Sequence, residues 1–103
     1  MIGLGTWEAP INTMIFRGTG RVTISDVNGE YDFKFELVGE NLPKITVKDV
    51  EEDGDTLTAV GECEAFAGKE IPVTVTFTDD TFLCVVKLPF VGKLKLSGNK
   101  IAD

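Results

Sequence analysis

Few side chains in this chain are equipped for chemistry, and one type is missing altogether. Histidine, the usual general base near neutral pH and the commonest metal ligand, does not occur among the 103 residues. A Ser-His or Cys-His nucleophile is therefore excluded within this chain. Cys63 and Cys84 sit in apolar, β-branched surroundings, which raise a thiol pKa and keep it inert. The densest polar group is Glu51, Glu52, Asp53 and Asp55 around Gly54. Its spacing does not match an EF-hand loop, and an Asp-Gly turn with solvated flanks explains the same residues. Arg17-Gly18-Thr19-Gly20-Arg21 could offer backbone amides to an anion. A phosphate loop opens a helix, however, and here a strand follows, so a tight turn or bulge is expected. No catalytic residue, metal or cofactor is assigned, and the chain is read as a non-enzyme.

Charge removes further classes. The net charge is −7 and Arg17 and Arg21 are the only arginines. The lysines alternate with acids, leaving no basic stripe for nucleic acid or anionic lipid. No segment approaches the roughly 20 apolar residues that span a bilayer. The opening Met-Ile-Gly-Leu-Gly-Thr-Trp lacks the basic start and apolar stretch of a signal peptide. The expectation is a cytoplasmic protein with neither nucleic-acid binding nor membrane insertion.

The elements that would position any site are strands. Val22 and Ile24 alternate with polar neighbours and lead into Val27-Asn28-Gly29-Glu30. Asn-Gly between alternating runs signals a type I′ hairpin, which needs positive φ at both central residues. After it, Tyr31, Phe33, Phe35 and Leu37 share one face, and Asp32, Lys34 and Glu36 the other. Further strands are read at Lys44–Val50, Thr56–Ala65, Ile71–Thr78, Thr81–Leu88 and Val91–Leu96, with one or two less definite ones within Ile2–Phe16. Turns fall at Gly39–Pro43, Glu51–Asp55, Phe66–Gly68 and Asp79-Asp80. Cys84 falls opposite about Val75 and Cys63 opposite about Glu70, about 16 Å apart along the strands, too far for a disulfide. Residues 1–103 thus form a single all-β domain of about eight antiparallel strands. The short connections favour an up-and-down meander barrel, with a β-sandwich as the alternative.

One face of these strands is apolar throughout. An eight-stranded barrel has an interior that side chains fill or that holds one small ligand. Tyr31, Phe33, Phe35, Leu57, Ala59, Val73, Val75, Phe82 and Cys84 are the expected cavity lining. The aromatic residues favour filling, and the small Ala59-Gly61-Cys63 run favours a cavity. Tyr31 is the expected polar handle for a ligand. Val60, Leu83 and Val85 face away from this core, with Phe90 and Val91 in the adjoining turn. They are a candidate interface for a homo-oligomer.

The Gly5-Thr6-Trp7 triplet resembles the Gly-x-Trp signature that opens the first strand of lipocalins and their calycin relatives, among them the fatty-acid-binding proteins. The resemblance implies an up-and-down barrel with Trp7 plugging one end and a ligand entering at the other. It also implies a basic residue near the last strand, packed over the tryptophan. With a last strand ending at Leu96, only Lys93 and Lys95 are on offer, both alternating toward solvent. The functional expectation is lipocalin-like, non-catalytic binding of a small hydrophobic ligand. The alternative is a filled barrel acting as an oligomerising or protein-interaction module.

Overall fold

A computed structural model describes residues 1–12, 17–38, 45–66, 68–89 and 92–103. They form β1 (Gly5–Asn12), β2 (Arg17–Val27), β3 (Glu30–Leu37), β4 (Ile45–Asp53), β5 (Thr56–Cys63), β6 (Ile71–Thr78), β7 (Thr81–Leu88) and β8 (Gly92–Ala102). All pair antiparallel in one sheet, in the order β3-β2-β1-β8-β7-β6-β5-β4. Each strand pairs with its sequence neighbours except β3 and β4, and the first pairs with the last. The result is an up-and-down barrel, not a sandwich, closed except at the seam between β3 and β4. No helix among the described residues is long and apolar enough to cross a membrane.

Local chemistry makes the hairpins. Asn28 and Gly29 adopt φ of 54° and 85°, the pair of left-handed conformations that Asn-Gly tolerates best. The Gly29 N–H donates to Asp26 Oδ1 at 2.8 Å, holding the corner. Asp79 turns at φ 52°, and the Thr81 hydroxyl donates to the Thr78 carbonyl at 2.7 Å. These corners and the Gly54-Asp55 turn lie at the same end of the barrel as the start of β1, because up-and-down strands alternate direction.

Four elements differ from the sequence reading. The Gly18–Gly20 segment is not a turn but the start of β2, paired with β1. Ile11 Cδ1 packs over Gly20, 2.6 Å from where a Cβ would stand. β4 continues through Glu51–Asp53 and carries a bulge between Lys48 and Glu51, with Asp49 at φ 55°. β5 stops at Cys63, and a 3-10 turn follows at Glu64–Phe66. β8 runs on past Leu96 to Ala102. The expected turn at Gly39–Pro43, together with Ala67, Phe90 and Val91, lies outside the described residues.

The contiguous core occupies the Trp7 end. Trp7, Ile24, Leu57 and Phe77 are buried against one another, and Ile2, Val22, Tyr31, Phe33, Val50, Val75 and Phe82 pack on them. Trp7 is 3% exposed, with ring centroids 4.9 Å from Phe77 and 5.7 Å from Phe82.

Candidate ligand site inside the barrel

The site begins with its floor. The Trp7 indole N–H donates to the Gly3 carbonyl at 2.8 Å, so residues before β1 fold back under the ring. Gly3 sits against the Phe77 ring with φ 70°, leaving no room for a Cβ. Lys100 pairs with Trp7 across β1 and β8, and its Nζ lies 5.7 Å from the indole centroid, within cation–π range. The same Nζ is 2.7 Å from an Asp103 carboxylate oxygen. The close crossing of β1 over β8 depends on Gly98, where a Cβ would overlap the Glu8 carbonyl and the Ala9 backbone.

Beside the floor, the seam between β3 and β4 is spanned by a side-chain bond. The Tyr31 hydroxyl donates to Glu52 and accepts from the Ile2 N–H at 2.8 Å. Burial, then the bond to Glu52, raises the Tyr31 pKa above its ordinary 10.0. Glu52 can reach because the Asp49 bulge shifts the alternation of β4. It puts Glu52 opposite the core residue Leu57 and lets Val50 pack on the core. Strict alternation from Ile45 and Val47 would turn Asp49 and Glu51 inward; the bulge turns in Val50 and Glu52 in their place. Tyr31, the expected handle, is engaged in holding the seam.

Away from the floor the inner face remains apolar but is less sealed. Ala9 and Ile71 are buried. Leu37, Val47, Ala59, Val73, Cys84, Val86 and Leu94 are only half-buried. Phe35, on the seam edge, is 37% exposed although it pairs with the inward Val22. Tyr31, Phe33 and Phe35 stack along β3 with neighbouring centroids 5.9 and 6.4 Å apart. No described side chain is completely enclosed.

The nine expected lining residues therefore divide by depth. Leu57 belongs to the sealed floor, and Tyr31, Phe33, Val75 and Phe82 pack on it. Phe35 is exposed, and Ala59 and Val73 are half-buried. Cys84 stands opposite Val75, as the turn arithmetic requires, and burial pushes its thiol up to about 11. Cys63 and Cys84 are not bonded to each other.

Polar groups outside do not build a second site. Val60, Leu83 and Val85 lie on the outer face, opposite Pro72, Thr76 and Thr74, and Leu83 is 45% exposed. A groove of about 780 Å³ crosses that face, lined by hydroxyl-bearing residues such as Thr76, Thr78, Thr81 and Ser97. Its one carboxylate, Glu8, is held by Arg21 at 2.7 Å. Lys48 is likewise tied, at 2.8 Å to Glu70 and 2.9 Å to Glu62. Among the described residues no group of three or more acids and cysteines is placed to hold a metal ion.

Two residues of the site escape the sequence reading, Glu52 and Lys100. Lys100 carries no alternation signal, because beyond Leu96 the polar Lys100 takes the inner face and the apolar Ile101 is exposed. For Glu52 the available signal is the break of phase from Ile45 and Val47 to Val50, which an inserted residue explains. Comparison with protein-family models, with curated proteins and with solved structures finds no match to this chain.

Proposed function

We propose that this chain is a calycin-like carrier that binds a small hydrophobic ligand inside its barrel, without catalysis. The observation that carries the reading is the gradient of burial along the inner face. A filled barrel of eight strands packs throughout, whereas here Leu37, Val47, Ala59, Val73, Val86 and Leu94 beyond Trp7 are half-buried, with Ala9 and Ile71 the buried exceptions. The Gly5-Thr6-Trp7 triplet adds support, because Lys100 on the last strand lies over Trp7 where the resemblance calls for a basic residue. The unbonded thiols suit a reducing cytoplasm. Native mass spectrometry on protein purified without detergent tests the reading. An added mass that is lost on denaturation supports a carrier. A bare chain that also fails to take up an added aliphatic alcohol rejects it.

A second reading, an oligomerising module, draws on the exposure of Leu83 beside Val85. Sedimentation velocity on Val60→Lys/Leu83→Lys separates the two: an assembly lost in that variant, with no ligand in the interior, favours the module.

A further inference from the structure

We infer that Asn28 is a site of spontaneous deamidation, and that the Asp26 carboxylate holds the reaction back while the corner between β2 and β3 is intact. Asn12, Asn28, Asn41 and Asn99 are the asparagines of the chain, and Asn28 alone precedes a glycine. The reaction needs a backbone nitrogen that can reach a side-chain amide carbon, and glycine puts no side chain in its way. The Gly29 nitrogen loses its proton to hydroxide and attacks Asn28 Cγ, and ammonia leaves as a five-membered imide closes. Water then adds to one imide carbonyl. Breaking the bond from the Gly29 nitrogen to Cγ gives aspartate, and breaking its bond to the main-chain carbonyl carbon gives isoaspartate. Water is consumed, ammonia is released, and no cofactor takes part.

The corner combines exposure with restraint. Asn28 and Gly29 are exposed, and a Cβ at Gly29 would meet nothing within 4 Å, so water and hydroxide reach both residues. The proton that must leave is nonetheless bound, because the Gly29 N–H donates to Asp26 Oδ1 at 2.8 Å. The negative charge of that carboxylate opposes removal of the proton, and the charge-assisted hydrogen bond fixes the nitrogen in the corner. The φ values of 54° and 85° belong to a type I′ turn, whereas the imide ring demands rotation about the Asn28 Cα–C bond. Asp26 also pairs with Tyr31 in the ladder of β2 and β3. Isoaspartate carries the main chain through Cβ, so the product lengthens the corner just ahead of the tyrosine that holds the seam.

The test incubates wild type, Asp26→Ala and Thr81→Ala in mildly alkaline buffer and follows aspartate and isoaspartate at position 28 by peptide mass spectrometry. Circular dichroism confirms that each is folded, and wild type in urea gives the unrestrained rate. Asp26→Ala should deamidate about fivefold faster than folded wild type, the factor set by one hydrogen bond of about 1 kcal/mol. Thr81→Ala removes the corner bond to the Thr78 carbonyl at the hairpin of β6 and β7 and should match wild type. Should Asp26→Ala not fold, Asp26→Asn, which keeps an oxygen acceptor without the charge, gives the same comparison with a smaller rise. Folded Asp26 variants that deamidate no faster than wild type, or an equal rise in Thr81→Ala, overturn the role of Asp26. No deamidation at Asn28 even in urea overturns the site itself.

Discussion

The Tyr31 hydroxyl on β3 donates to the Glu52 carboxylate on β4, spanning the one seam at which the described backbone ladder stops. Unpaired strand edges are open to slippage and to pairing with other chains. Here a tyrosine and an acid, brought opposite each other by a bulge, replace part of the missing ladder at the floor end. The bond also fixes the residues before β1, through the Ile2 N–H.

Tyr31→Phe removes both hydrogen bonds of the hydroxyl and should therefore cost about 2 kcal/mol at about 1 kcal/mol each, measured by urea denaturation. Hydrogen exchange should quicken at the Ile2 amide and along the facing edges of β3 and β4. Unchanged exchange there would mean that the seam is held by something else.

The same residue sets an alkaline limit. Its pKa is raised in the folded state, by burial first and by Glu52 second. The folded protein thus holds this proton more tightly than the unfolded chain. The associated stability is complete below pH 10 and declines as the pH climbs through the raised value. That part of the decline should vanish in Tyr31→Phe.

Cys84 adds a second alkaline transition. Burial lifts its thiol from 9.0 to about 11. Its contribution is full below pH 9 and disappears between there and about 11, a total of about 2–3 kcal/mol. Stability curves of Cys84→Ala and wild type should converge in slope below pH 9 and diverge above it. Alkylation by iodoacetamide at pH 8 should be slow in the folded state and fast in urea.

Gly98→Ala is expected to cost about 3 kcal/mol or more, since overpacking here meets rigid backbone in place of a movable side chain. Lys100→Ala should cost only about 1 kcal/mol, the size of a partly exposed cation–π contact with its packing. Thermal denaturation of both variants gives the ranking, and the reverse order would contradict the close crossing of β1 and β8.

Much of the fold is legible because β-strands write their burial in period two. The Tyr31–Leu37 run, the Asn28-Gly29 corner and the Cys84–Val75 pairing all follow from spacing alone. What escapes is whatever breaks the period. The left-handed Asp49 inserts one residue into β4 and reverses the faces beyond it, so Glu52 reads as a turn residue while acting at the seam. The last strand reads as ending at Leu96, two residues before Gly98, and a glycine inside a strand normally weakens it. Gly98 is in fact the place where β1 crosses too closely for any side chain, and Lys100 lies just past it. Gly18 and Gly20 mislead in the same manner. The depth of the interior is a further gap, since packing of aromatics against small residues depends on how far the sheet coils.

Under the carrier proposal, the half of the barrel beyond Trp7 is a binding cavity. The most direct measurement is native mass spectrometry of wild type and Ala59→Trp with 1-decanol, alongside circular dichroism to confirm that both are folded. The account predicts a one-to-one adduct on the wild type that is absent from the variant, whose added indole fills the space between β5 and its neighbours. A folded Ala59→Trp that binds decanol as well as wild type, or a wild type that binds none, would contradict it.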